Sequence, residues 1–375
     1  METNMRLSCK SIPSRTPLAR TIAACLVLMS TISSTLACTG IVLQSVDGST
    51  VAARTMEFGF DIDSNIYAVP AGTEIETLQL NPDVSGFTYT TTYGFLGANG
   101  LDMPIVFDGM NTEGLYFGAF YFAGPAKFVE LTDENREKAV SSEEMGNWIL
   151  GQFKTVAEVQ AALTNIEVVG TYIKQINGFA PFHYAVTDAT GESIVIEYTK
   201  QGLAVYRNTV NVVTNNPAYD WHITNLRNYV GLQTGNRSEV TVGKEVIAPM
   251  GQGTGMLGLP GDMTSPTRFV RAAAFANSAV PAANSSEAVF QAFHILNTFD
   301  IPKGAIRERD QGETLTDYTL WTSAADTANA TYYFKTYLTQ AVESIDVRAA
   351  IASITKPSTL TMESGFSVKD RTQDF

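Results

Sequence analysis

From residue 39 onward the chain is written mostly in strands, which restricts it to folds that can cover several sheets. Residues 39–46 run into a turn at Asp47-Gly48, and 50–54 return from it. The Asp-Gly pair supplies the positive φ angles of a tight hairpin. Further strand patterns fall at 86–96, 114–122, 183–187, 193–198, 210–214, 318–325 and 331–338. Helices are fewer. Ser141 with Glu144, and Thr155 with Glu158, read as capping boxes before 145–153 and 156–163. Ser265-Pro266 opens a helix through 267–276, and 286–297 is another helical run. Antiparallel pairs with interspersed helices predict an α+β fold whose sheets lie under helical layers. With no repeat, linker or charge block after residue 37, the expected domain is a single one, 38–375.

The first 37 residues read differently. Arg6, Lys10, Arg15 and Arg20 against Glu2 make a basic start, residues 22–32 are an apolar run, and Thr35-Leu36-Ala37 ends in the small residue a signal peptidase accepts. A run this short falls below the roughly 20 residues needed to span a bilayer. The expectation is a cleaved signal peptide, 1–37, an exported chain that is periplasmic or secreted, and no stable membrane insertion. The whole chain carries a formal charge of −13. Without the leader, 21 Lys+Arg stand against 37 Asp+Glu, or −16. Such a surface lacks the basic patch that nucleic-acid binding needs, so nucleic acid is excluded as a partner.

Cleavage also changes the cysteine count. Cys9 and Cys25 leave with the leader, and Cys38 remains alone at the new amino terminus. No intramolecular disulfide is then possible, and a lone thiol in an oxidising compartment points to a reactive cysteine. The histidines, His183, His222 and His294, stand in no spacing relation to it and read as packed or surface residues. A base is nevertheless available. The α-amino group freed on Cys38 can take the thiol proton directly or through one water, so one residue supplies nucleophile and base. Arg54, on the second strand of the hairpin, is placed to support the thiolate. Two other readings of Cys38 stand beside this one: a lipid anchor, for which Thr35 sits where the lipobox wants Leu, and an inert small hydrophobe at a strand start. A lipid-anchored binding protein without catalysis is the corresponding alternative of another class.

Common signatures are absent. There is no G-x-S-x-G, H-E-x-x-H or G-x-x-x-x-G-K-[ST], and metal ligands are poorly supplied. Residues 253–258 spell G-x-G-x-x-G, but Pro260-Gly261-Asp262 follows where a helix should open, so this is a loop.

Several blocks in order resemble the choloylglycine hydrolase family of N-terminal nucleophile hydrolases, which contains bile salt hydrolases and penicillin V acylases. They are Cys38-Thr39-Gly40 with Ala53-Arg54-Thr55-Met56-Glu57-Phe58; Phe107-Asp108-Gly109-Met110-Asn111-Thr112-Glu113-Gly114-Leu115; and Val213-Thr214-Asn215-Asn216-Pro217 with Trp221. Leu259-Pro260-Gly261-Asp262 leading to Ser265-Pro266-Thr267-Arg268-Phe269-Val270-Arg271, and residues 318–337, complete the set.

The resemblance implies a four-layer αββα sandwich with the nucleophile on the amino-terminal strand. It implies Cys38 as nucleophile, its amine as base, Arg54 beside the thiol, and Glu57 in the place of a more usual Asp that orients the amine. Asn215 matches an oxyanion-hole amide, and Arg268 a second arginine that holds the network. Tyr121 matches a substrate-binding position where bile salt hydrolases usually have Asn and penicillin V acylases more often Tyr. The implied activity is hydrolysis of a linear N-acyl amide through a thioester, without cofactor or metal. Penicillin V acylase-like chemistry, including acyl homoserine lactones or other N-acyl amides, is the leading expectation and conjugated bile salt hydrolysis its alternative. By analogy alone, the resemblance also implies a homotetramer.

Overall fold

The computed structural model describes residues 37–375 except 81–83, 174–177, 311–312, 364, 367 and 375. Of the expected leader, all but Ala37 lies outside the described residues. The expected hairpin forms, but only Gly48 of the Asp-Gly pair takes a positive φ, and the loop spans residues 45–49. Strands β1 (Thr39–Gln44) and β2 (Thr50–Phe58) pair antiparallel with Gly40 opposite Arg54, and Gly48 takes a φ of 87° between them.

In chain order there follow β3 (Asn65–Val69), β4 (Phe95–Ala98), β5 (Asp108–Asn111), β6 (Tyr116–Tyr121), α1 (Met145–Gln152), α2 (Val156–Ala162), β7 (Phe182–Thr187), β8 (Ser193–Thr199) and β9 (Gly202–Arg207). The remainder are β10 (Val212–Val213), α3 (Tyr219–Asn225), α4 (Ser265–Ser278), α5 (Ser285–Leu296), β11 (Ile306–Asp310), β12 (Glu313–Asp326), β13 (Thr331–Thr336), β14 (Glu343–Asp346), α6 (Val347–Ala352) and β15 (Ser358–Thr361).

Among the described residues these strands make two large sheets. A seven-stranded sheet runs β10-β1-β2-β12-β13-β14 with β11 on β12, and an eight-stranded one runs β9-β8-β7-β6-β5-β4-β3-β15. The sheets face each other. Ser323 of β12 donates to Asp108 of β5 at 2.7 Å, and Tyr332 of β13 donates to the same carboxylate at 2.5 Å. Helices α4 and α5 cover the outer face of the first sheet and α1 that of the second, which completes an αββα sandwich. Because both faces of each sheet are covered, β2 is buried continuously from Thr50 to Met56 and on to Glu57. It lacks the in–out alternation of a half-exposed strand.

Local departures from the sequence reading have physical causes. Ser141 does not cap α1: it belongs to a short strand, and the Glu144 carboxylate accepts from the backbone N–H groups of Leu78 and Gln79 at 2.8 and 3.0 Å. In the second box Thr155 caps the helix, accepting from Glu158 N–H at 3.2 Å, while the Glu158 carboxylate accepts from Lys154 N–H at 2.9 Å. The strand expected at 86–96 is broken because Thr92 and Tyr93 turn to donate to Gly151 O at the end of α1. The strand expected at 210–214 shrinks to Val212–Val213, since Thr214 and Asn215 leave the ladder for the contacts described next.

Candidate active site

Cys38 lies one residue before β1, only 2% exposed, and its backbone is gripped from two directions. Its N–H, here a peptide nitrogen following Ala37, donates to Asn215 Oδ1 at 2.8 Å. Its carbonyl accepts from Arg268 Nη1, which also reaches Thr39 Oγ1 at 2.9 Å. Arg268 Nη2 donates to Asn215 Oδ1 at 2.6 Å and Nε to Met263 O at 2.9 Å. One buried guanidinium on α4 thus fixes the start of β1 and the loop after β10 together, using the planar fork that only arginine has.

Asn215 is oriented without ambiguity. Its Oδ1 meets two donors, and its Nδ2 donates to Tyr121 O at 2.8 Å. Swapping the amide atoms would set donor against donor and leave two carbonyls opposed. The backbone beneath is held equally well. Asn215 N donates to Ser265 Oγ at 3.0 Å, while the imidazoles of His222 and His183 approach the carbonyls of Asn215 and Thr214, both at 3.0 Å. The Asn216–Pro217 bond that follows is cis.

Arg54 approaches from the other face of β2, in the space between the sheets. Its guanidinium sits 4.3 Å from the Phe120 ring centroid and 5.5 Å from that of Trp321. It donates to Ala119 O at 2.5 Å and lies 3.7 Å from Met56 Sδ, the atom that also meets Cys38 Sγ at 3.9 Å. Burial works against the Arg54 charge, but the thiol, Asp108 and Glu57 outweigh it and hold the guanidinium above its ordinary range.

Glu57 points the opposite way, toward the helical layer. Thr319 donates to its Oε1 at 3.1 Å, while its Oε2 has no hydrogen-bond partner among the described residues. Burial pushes this carboxyl up to about 8, against the pull of Arg268, the neighbouring threonine hydroxyls and Arg54. The acceptor for Cys38 N–H is therefore Asn215, and Glu57 couples to the site through the charge of Arg268.

The fold brings together all six residues singled out in the sequence: Cys38, Arg54, Glu57, Asn215 and Arg268 by side chain, and Tyr121 through its carbonyl. Sequence reasoning missed four supporting residues: His183, His222, Ser265 and Thr319. Their contacts span 31, 7, 50 and 262 residues, so only the His222 contact is local enough to leave a spacing signal. Ser265 does open α4, behind the N-cap Thr264, and its hydroxyl serves Asn215. Cavities of about 180 and 280 Å³ lie beside Lys335 and Arg207, and Cys38 lines neither. Thr319 and Trp321 do line the first, so it backs onto the partners of Glu57 and Arg54.

The model of the linear amide C–N hydrolases, choloylglycine hydrolase family, matches residues 38–357 and so begins at Cys38. A bile salt hydrolase/transferase of Clostridium perfringens is 32% identical over 83% of this chain and 92% of its own length. A penicillin V acylase of Pectobacterium atrosepticum is 25% identical over 46% of this chain and 47% of its own. In three dimensions the chain is similar to a crystal structure of a conjugated bile acid hydrolase variant from Clostridium perfringens. That match has a TM-score of 0.78 and 29% identity, and covers 88% of this chain and 99% of the other.

Proposed function

The chain belongs to the choloylglycine hydrolase family of linear amide C–N hydrolases, and from that premise we propose that Cys38 is its nucleophile, active once the bond to Ala37 is cut. The freed α-amine takes the thiol proton. The thiolate attacks the amide carbonyl and the oxyanion forms. The ammonium then returns the proton to the departing amine, and water releases the acyl group from the thioester. The observation that carries this reading is the double grip on Cys38 by Asn215 and Arg268, which places the future amine against a fixed acceptor before cleavage occurs.

Each partner has a part in it. Asn215 Oδ1 orients the amine. Its Nδ2 spends one hydrogen on Tyr121 O and keeps the second for the oxyanion, a donor typically worth about 2.7–4 kcal/mol. Arg54 supplies positive charge on the sulfur side, and Arg268 holds both Cys38 and Asn215. Trapping tests the reading directly. Rapid acid quench during turnover should leave the acyl group on the Cys38 peptide by mass spectrometry, and an acyl group found elsewhere would refute it.

For the substrate we propose conjugated bile acids, cleaved at the linear amide, supported by the extent of similarity to the Clostridium perfringens hydrolase. Tyr121 favours a second reading, penicillin V or another N-acyl amide such as an acyl homoserine lactone. Initial rates on glycocholate, penicillin V and a long-chain acyl homoserine lactone decide between them. We further propose that the enzyme is exported and that its signal peptide ends at Ala37. Among the described residues no helix is long and apolar enough to cross a membrane. A homotetramer is proposed as well, supported by the hairpin Val240–Val242/Glu245–Ile247, which exposes Val240, Val242, Val246 and Ile247. Light scattering of the purified protein checks it.

A further inference from the structure

We propose that the buried hydroxyls of Thr55 and Thr322, in a row on the helix-covered face of the first sheet, form with water in the cavity beside Lys335 a proton pathway between solvent and the Glu57 carboxyl. The claim goes beyond the amidohydrolase reading and does not depend on which amide is cleaved.

Strand register builds the row. Thr39 of β1 faces Thr55 of β2, Thr55 faces Thr322 of β12, and Thr322 faces Lys335 of β13. Directly opposed residues of an antiparallel pair share a face, with Cβ atoms about 4.5–5.5 Å apart. That face is the one under the helices, since Thr39 Oγ1 accepts from Arg268 of α4 and Lys335 Nζ donates to Asn297, just after α5, at 2.7 Å. A sheet face packed against helices is normally apolar, and the next row on this one, Ile41, Ala53, Ala324 and Tyr333, meets that expectation. The threonine row instead buries three hydroxyls and an ammonium group, at 0, 0, 1 and 7% exposure from Thr39 to Lys335.

Two of those hydroxyls have no internal use. Thr55 Oγ1 and Thr322 Oγ1 have no hydrogen-bond partner among the described residues, and neither has Glu57 Oε2, on the same face two residues after Thr55. Bare polar atoms in an interior are costly, and water is their usual partner. The three lead toward a cavity of about 180 Å³ lined by Thr319, Thr322 and Lys335, well above the roughly 10–15 Å³ that one water needs. Its rim includes the exposed residues Pro302, Tyr337 and Gln340. The other Glu57 oxygen is already engaged, since Oε1 accepts from Thr319, whose hydroxyl is held in turn by Ile301 N–H at 2.9 Å. Oε2 is thus the oxygen that meets the row, and the Thr55 hydroxyl is near enough to pull on the titration of this carboxyl. Transfer exchanges hydroxyl hydrogens. As Oε2 passes its proton to Thr55 Oγ1, directly or through one water, Thr55 passes its own to Thr322 and Thr322 passes its own to cavity water. Each threonine ends neutral, the proton emerges as hydronium, and uptake runs in reverse. The charged groups around the route are Arg54 from β2, Arg268 from α4, Lys335 from β13 and Asp300 after α5. Arg268 feels the Glu57 charge and holds both Cys38 and Asn215, so the pathway lets the site follow solvent pH without opening the fold.

Infrared spectroscopy of the purified protein, moved from H₂O into D₂O at a pH two units below the carboxyl's pKa of about 8, tests this without substrate. The band of the protonated Glu57 carboxyl, assigned by its loss in Glu57→Gln, should shift within the mixing time in the parent. Thr322→Val keeps the shape of the side chain and removes only the hydroxyl. It should slow the shift by at least about tenfold, without lowering thermal stability because no hydrogen bond within the protein is lost. Thr322→Ser should restore the parental rate. Exchange in Thr322→Val as fast as in the parent overturns the proposal, and so does a slowing that Thr322→Ser shares. Absence of any protonated-carboxyl band belonging to Glu57 overturns it as well. No amide enters the measurement, so a failure of the amidohydrolase reading would show separately, as lack of turnover in a protein whose exchange behaves as expected.

Discussion

Glu57 offers the clearest thermodynamic consequence of the site. Its carboxyl is buried, with its pKa near 8 where an exposed one has 4.5. The folded protein therefore holds a proton that the unfolded chain gives up, and linkage makes folding less favourable as pH rises between those values. The distance from 4.5 to about 8, at about 1.4 kcal/mol per pH unit, sets a ceiling of about 5 kcal/mol on the stability lost. That contribution is fully present below pH 4.5 and is lost as pH rises through 8. Glu57→Gln retains the size and the acceptor for Thr319 but cannot ionise. Urea unfolding of parent and variant at pH 5 and pH 9 should give similar stabilities at the lower pH. At the higher, the variant should be more stable by a few kcal/mol. A difference between the two proteins that does not change with pH would refute the argument that Glu57 is held neutral by burial.

Other outcomes follow from the same contacts. Arg268→Met strips donors from Cys38 O and Thr39 Oγ1, at about 1–3 kcal/mol for each acceptor left bare in the interior, while Asn215 Oδ1 keeps the Cys38 N–H. Thermal unfolding reads this loss, and Arg268→Lys should recover little because it lacks the fork. Cys38→Ser should fold normally, as its circular dichroism would show, yet lose most turnover. Gly97→Ala would put a Cβ 2.1 Å from Asp108 O and 2.5 Å from Gly109 Cα, backbone that cannot step aside. Denaturant unfolding should show a loss at or beyond the usual overpacking cost of about 1–3 kcal/mol. By contrast, Arg207→Ala breaks only an exposed pair with Glu192 and should change stability by less than about 1 kcal/mol.

The sequence made legible what is decided locally. Asp47-Gly48 determined its own hairpin, and Thr155 with Glu158 capped α2, because each uses groups within a few residues. Ser141 with Glu144 looked the same on paper and failed. The Glu144 carboxylate does accept from Ser141 N–H and Oγ at 3.3 and 2.9 Å, but Glu144 itself is the N-cap of α1, and the carboxylate's other donors, Leu78 and Gln79 N–H, lie outside any short window. In the site, recognised blocks placed Cys38, Arg54, Glu57, Asn215 and Arg268, but not the contacts between them. The bond from Cys38 N–H to Asn215 crosses 177 residues. His183 was invisible as a supporting residue for the same reason, since it reaches a backbone carbonyl 31 residues away, whereas the His222 contact spans only 7.

The central claim is that cleavage exposes Cys38 as both nucleophile and base, and the intact mass of the active protein tests it most directly. The account predicts a chain beginning at unmodified Cys38 that turns over a linear amide, with turnover lost when one residue is retained ahead of it. Full activity in a chain that starts earlier, or a fatty acyl group on the Cys38 sulfur or nitrogen, would contradict it.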